Sequence, residues 1–192
     1  MECNAIILAG GKSSRMGTDK GLITIGEKSM IEYILNELAA SEIKDIIIVS
    51  NNLEYKKFGL PVYPDIIKDK GPLGGIYTGL IKSSRLRNVV LSCDIPLISS
   101  KVINHLIDNS ADFPVLVSTY EDKIHPLIGI WDASLIPSIG ENLIEDRLRL
   151  KDYLNENGAV YTDLKECGII LENTTLMNVN TPDELKRLKN GM

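Results

Sequence analysis

The chain has 192 residues, 44% of them apolar and 24% charged, with a formal net charge of −5. That profile suits one α/β domain with a sizeable core. The acidic balance argues against a nucleic-acid partner, which calls for a basic excess, but a local cation cluster would still serve one triphosphate.

Residues 3–8 are apolar almost throughout, the pattern of a strand buried on both faces. Glu2 and the shortness of this run do not fit a signal peptide, and no stretch of the chain reaches the length of a membrane span. The strand runs into Leu8-Ala9-Gly10-Gly11-Lys12-Ser13-Ser14-Arg15-Met16-Gly17-Thr18-Asp19-Lys20. Glycines let backbone N–H groups approach phosphate oxygens closely, and Lys12, Arg15 and Lys20 can neutralise them. A P-loop needs a glycine five positions before its final Gly-Lys-Ser, and Ile6 stands there instead, so this is a different phosphate loop.

Residues 22–25 suit a short extended piece turned by Gly26. Ser29 then caps a helix running to about Ala40, with Ile31, Ile34, Leu35 and Leu38 on one face and Glu32 completing a capping box. The second strand, 45–50, ends in Asn51-Asn52, placed to reach a ligand beyond the strand tips; Asn52 could equally cap a helix. After Asp65 comes Gly71-Pro72-Leu73-Gly74-Gly75, with Pro72 in a first helical turn. Glycines at 74, 75 and 79 each cost a helix about 1 kcal/mol against alanine. The favoured reason is close approach of a flat base, with tight packing on the sheet as the alternative.

Another buried strand, 88–93, ends in Asp94-Ile95-Pro96. A carboxylate at such a tip suits Mg²⁺, which needs few protein ligands when phosphates supply the rest. Ser99 or Ser100 is available to cap the following helix, leaving Asp94 free of that duty. Residues 114–119 and 125–131, joined by a polar turn, form an antiparallel pair, so the sheet is mixed. Residues 141–154 are expected as one helix carrying Arg147, Arg149 and Lys151, and 159–161 as an edge strand. Thr181 caps and Pro182 starts a last helix. Before it, Asn178 and Asn180 flank an inward valine, both on one side of an extended piece.

Cys3, Cys93 and Cys167 are far apart and form no Cys-x-x-Cys pair, which fits reduced thiols and a cytoplasmic protein rather than a disulfide or zinc framework. With no convincing His or Cys nucleophile, catalysis would rest on positioning and charge stabilisation.

The long loop, Gly-Pro-Leu-x-Gly at 71–75, Cys-Asp-x-Pro at 93–96, His-Pro-Leu at 125–127 and Asn-x-Asn-Thr-Pro at 178–182 together resemble the molybdenum cofactor guanylyltransferase family over the whole chain. Gly74 departs from the alanine many relatives carry there. The resemblance implies one three-layer α/β/α domain over 1–192, Rossmann-like, around a mixed, mostly parallel sheet. It implies Mg²⁺-dependent transfer of GMP from GTP to the phosphate of molybdopterin, with molybdoenzymes or their chaperones as candidate recipients. Arg15, Lys20 and Asp94 would be catalytic, and Asp94 would hold the metal. Leu8, Ala9, Gly10, Gly11, Lys20, Asn52, Asp65, Gly71, Gly75 and Asp94 would bind the nucleotide. Arg147, or Arg149 two residues on, would serve the acceptor together with Asn178 and Asn180, and His125 would shape that side of the cleft. CMP transfer to the same cofactor, NMP transfer to a sugar phosphate, and a nucleotide-binding regulator without turnover are the rivals. The presence of Lys20 and Asp94 weighs against the last.

Overall fold

The computed structural model describes residues 2–10, 19–43, 45–110, 113–172 and 174–190. Seven strands form one sheet: β1 (Cys3–Leu8), β4 (Asp45–Val49), β5 (Val62–Tyr63), β6 (Arg87–Ser92), β7 (Val115–Tyr120), β8 (Lys123–Asp132) and β9 (Val160–Asp163). Their order is β5-β4-β1-β6-β8-β7-β9. β1 pairs in parallel with β4 and β6, while β8 runs antiparallel to both β6 and β7. β9 joins in parallel with β7 as the edge. The mixed, mostly parallel sheet and its antiparallel pair are as the sequence indicates. A small hairpin, β2 (Thr24–Ile25) and β3 (Lys28–Ser29), turns at Gly26, whose φ is +62°.

Alternation along β1 divides the core into two faces. Ala5 and Ile7 pack with Ile31, Ile34 and Leu38 of α1 (Met30–Ala39) and with Val102, Ile103 and Leu106 of α3 (Ser100–Asp108). Ile6 and Leu8 face the other way, onto Leu73, Ile76 and Leu80 of α2 (Gly71–Lys82), Ile139 and Leu143 of α4 (Ile136–Ile144), and Tyr153 and Leu154 of α5 (Leu150–Glu156). Helices on both faces of the sheet make three layers. Each fully buried Ile or Leu contributes about 1.5–3 kcal/mol to holding them together. A third, smaller cluster joins Ile25 and Met30 to Val179 and to Leu188 of α6 (Pro182–Asn190).

Two local expectations need correcting. The single helix expected over 141–154 is two helices, α4 and α5. Asp146 has φ +59°, and the Arg147 N–H bonds the Asn142 carbonyl at 2.9 Å, a Schellman-type closure that ends α4. Aspartate tolerates the left-handed conformation, so no glycine marks the stop. The start of α3 is not capped by a serine hydroxyl. Ser99 Oγ is buried with no partner among the described residues, and the Ser100 N–H donates instead to Glu37 Oε2 of α1 at 2.7 Å. The Ser29–Glu32 pairing does form: Glu32 Oε2 accepts from the Ser29 N–H at 2.7 Å and from its hydroxyl at 2.5 Å.

Candidate active site

β1 runs on to β4 and β5 on one side, and β6 lies on its other side, so the connections diverge between β1 and β6. Open α/β sheets bind ligands at such a point, beyond the carboxyl ends of the strands. A cleft of about 880 Å³ lies there. Leu8 and Gly10 reach it from β1, Asn51 and Asn52 from β4, Asp65 from β5 and Asp94 from β6. Gly71, Pro72 and Gly75 of α2 close one wall. Ala9 is fully buried, its N–H bonded to the Val49 carbonyl, so it supports the turn rather than lining the cleft. A Cβ at Gly10 would meet no heavy atom within 4 Å among the described residues. Gly11, Lys12 and Arg15 lie outside the described residues, as does the rest of the loop to Thr18.

The three helical glycines do different work. A Cβ on Gly75 would stand 3.2 Å from Leu8 Cδ2 and 3.9 Å from Asp65 Oδ1, at the cleft wall. A Cβ on Gly79 would press into Ile6, with Cδ1 at 2.9 Å, on the sheet. One on Gly74 would meet Lys70 Cβ at 2.8 Å. Base approach therefore remains available to Gly75, while Gly79 serves packing between helix and sheet. Gly71 has φ +58° at the first position of α2, where a side chain would be strained.

Asn52 does cap the short 3-10 helix Leu53–Phe58: its Oδ1 accepts from the Glu54 N–H at 3.0 Å. Its Nδ2 donates to Asp19 Oδ2 at 3.4 Å. Asp19 Oδ1 accepts from the hydroxyl of the fully buried Tyr55. Asp19 thus anchors the chain where the signature loop ends, immediately before Lys20. Sequence reasoning passed over Asp19 although the motif contains it, and Tyr55 carried no signal. On the other side of the cleft, Asn51 Nδ2 donates to Asp65 Oδ2 at 2.8 Å, and the Asp65 N–H donates to Asn51 Oδ1 at 3.1 Å. Burial raises the Asp65 carboxyl above the usual range, and the bond from Asn51 opposes that.

Asp94 Oδ2 accepts from Asn178 Nδ2 at 3.3 Å, and Oδ1 is buried with no hydrogen-bond partner among the described residues. A buried carboxylate oxygen without a donor is costly alone and suited to a cation. Among the described residues no three His, Cys, Asp or Glu side chains gather to hold a metal. A lone carboxylate nonetheless fits Mg²⁺ shared with substrate phosphates. Lys20 Nζ donates to Asn180 Oδ1 at 2.5 Å. Next to Asp94, Cys93 is buried, and burial followed by the charges of Asp94 and Asp19 pushes its thiol up to about 12, so it stays protonated and is no nucleophile.

A second cavity, about 410 Å³, is bordered by Tyr120, Lys123, His125, Asn178 and Glu184. Asn178 therefore stands between the two spaces, facing one and bonded to a residue of the other. Burial, and secondarily Lys123, pushes His125 down to about 4, so it is neutral at pH 7. Arg147 borders neither cavity. Its guanidinium meets Glu145 at 2.9 Å and Glu156 at 3.5 Å, on the turn that Lys70, just before α2, contacts by pairing with Asp146 at 2.8 Å. Arg149 is exposed and lies 3.9 Å from Asp152.

A family model described as a MobA-like NTP transferase domain matches residues 5–160. The chain is 38% identical over 183 residues to a probable molybdenum cofactor guanylyltransferase of Flavobacterium johnsoniae, covering 95% of this chain and 94% of that one. It is 33% identical over 190 residues to a molybdenum cofactor guanylyltransferase of Haemophilus influenzae, with 96% of each covered. The fold matches molybdopterin-guanine dinucleotide biosynthesis protein A of Archaeoglobus fulgidus with a TM-score of 0.82, covering 97% of both chains at 22% identity.

Proposed function

The chain belongs to the MobA-like NTP transferase family, and on that premise we propose that it transfers GMP from GTP to the phosphate of molybdopterin-type cofactor. The acceptor phosphate oxygen attacks the α-phosphorus of GTP. A new P–O bond forms, the α–β bridging bond breaks, and pyrophosphate leaves with its electron pair. The nucleophile is already anionic, so no protein base is required. That agrees with His125, whose pKa of about 4 makes it a weak base.

One observation carries the reading. The cleft at the divergence of β1 and β6 presents Asp94 with an unpartnered buried oxygen, in a chain 38% identical to a probable guanylyltransferase along 95% of its length. Asp94 is the residue that would hold Mg²⁺. When bound, the ion supplies positive charge to the phosphate oxygens. Gly10 leaves room for a phosphate beside the backbone, and Arg15 and Lys20 hold the β- and γ-phosphates as negative charge accumulates on them. Gly75 and Gly71 admit the base along α2, and Asp65, oriented by Asn51, contacts the nucleoside. The acceptor occupies the second cavity, beyond Asn178. Reduced cysteines agree with a cytoplasmic site of action. No helix among the described residues is long and apolar enough to cross a membrane.

Calorimetric titration with non-hydrolysable GTP and CTP analogues in Mg²⁺ tests the base choice. Tighter binding of the GTP analogue is expected. A preference for the CTP analogue would favour cytidylyl transfer.

A further inference from the structure

The carboxyl-terminal asparagines bond to Lys20 and Asp94, two of the charged groups of the proposed reaction. Lys20 Nζ donates to Asn180 Oδ1 at 2.5 Å across 160 residues of chain. Asn178 Nδ2 donates to Asp94 Oδ2 at 3.3 Å. The chemistry fixes how each amide is turned. An ammonium has no acceptor and an ionised carboxylate has no donor, so Asn180 must present oxygen and Asn178 nitrogen.

The segment between them is anchored independently. Val179 is fully buried with Ile25, Met30 and Leu188, and its N–H donates to the Asp94 carbonyl at 2.8 Å. The Asn180 N–H donates to Glu184 Oε2 at 2.7 Å, tying the segment to the first turn of α6. Residues 178–180 are thus a short brace held by its own backbone and core, with one amide on each charged group. A neutral amide can orient an ammonium without cancelling its charge, whereas a carboxylate there would form an ion pair and compete with phosphate.

We propose that Asn180 is a positioning residue for Lys20: it aims the ammonium at the departing pyrophosphate rather than binding the acceptor. This rests on the proposed role of Lys20 in GMP transfer. A long lysine side chain has rotamer entropy to lose, and one fixed bond removes much of that freedom before substrate arrives.

A double-mutant cycle tests it, using the full chain, Lys20→Ala, Asn180→Ala and the double variant. Thermal melting checks each fold, and Asn180→Ser completes the cycle if Asn180→Ala does not fold. Two quantities are read: kcat and KM with GTP and molybdopterin, and the affinity for magnesium pyrophosphate by calorimetry, which needs no acceptor. Loss of Asn180 is expected to lower kcat about 10–100-fold. It should also weaken pyrophosphate binding and leave the acceptor KM nearly unchanged. With Lys20 already gone, the same substitution should change either quantity by no more than about twofold. Equal costs with and without Lys20, or a raised acceptor KM with unchanged pyrophosphate affinity, would overturn the positioning role alone. A Lys20→Ala chain with normal kcat and normal pyrophosphate affinity would overturn the role of Lys20 itself, and the positioning role with it.

Discussion

The side-chain amide of Asn178 donates to the carboxylate of Asp94 at 3.3 Å, joining residues 84 positions apart at the wall between two cavities. That bond occupies one oxygen of Asp94 and leaves the other buried and without a partner among the described residues. Stability alone does not call for such an arrangement; a cation beside it would.

Asp94→Asn is therefore expected to melt close to the parent chain while kcat falls by at least about 10²-fold, because the variant loses the group proposed to neutralise substrate charge through Mg²⁺. Melting temperature and kcat are measured on the same preparation. Near-normal turnover in the folded variant would remove Asp94 from the metal site.

Gly75 and Gly79 separate ligand contact from packing. Gly75→Val projects a side chain beside Leu8 and Asp65 at the cleft wall, so it should weaken binding of a GTP analogue far more than it lowers the melting temperature. Gly79→Ala forces a methyl against buried Ile6, and overpacking of this kind costs about 1–3 kcal/mol. It should lower stability and leave affinity unchanged. Calorimetry and thermal melts on both variants decide the matter; an exchange of the two phenotypes would contradict it.

Tyr55→Phe removes the hydroxyl that donates to Asp19. The carboxylate keeps Asn52 but loses its second donor. The expected loss is about 1–3 kcal/mol in urea unfolding. Turnover should fall as well, because Asp19 fixes the backbone leading into Lys20. A variant with parent stability and parent kcat would show that the Asp19 anchor is dispensable.

His125 makes a prediction about pH. Its pKa drops from 6.5 to about 4 on folding, through burial first and Lys123 second. Between those values the unfolded chain binds a proton that the folded chain does not, so stability declines as pH falls through that window and levels off below it. Glu32 and Glu184 are shifted down from 4.5 by hydrogen bonds, from Ser29 and chiefly from the Asn180 N–H respectively, so their contributions are lost at lower pH still. His125→Gln should flatten the dependence of stability on pH between 4.5 and 6.5. An unchanged slope would mean that His125 titrates normally in the folded chain.

What could be read from the sequence was periodic or chemically distinctive. The nearly continuous apolar run of residues 3–8, the capping pattern at Ser29 and Glu32, and strand tips ending in Gly10, Asn52 and Asp94 placed the sheet and the cleft. What escaped depended on partners distant in the chain. Glu37 caps α3 from another helix. Tyr55 reaches Asp19 from a segment with no motif. Asp146 ends α4 in a conformation that usually announces itself with glycine. Gly74, Gly75 and Gly79 look alike in sequence, and only the neighbouring atoms separate a cleft wall from a packing contact. Asn178 and Asn180 were legible as a pair on one side of an extended piece, but not the charges they would meet.

Direct product analysis bears most closely on the proposed reaction. The purified chain is incubated with Mg²⁺, molybdopterin or its metal-loaded form, and GTP or CTP labelled at the α-phosphate, and the products are resolved. Label from GTP should appear in a pterin–guanine dinucleotide with one pyrophosphate released per product, and CTP should give little. A pterin–cytosine dinucleotide in preference, or transfer only when a sugar phosphate replaces the pterin, would contradict guanylyl transfer to the cofactor.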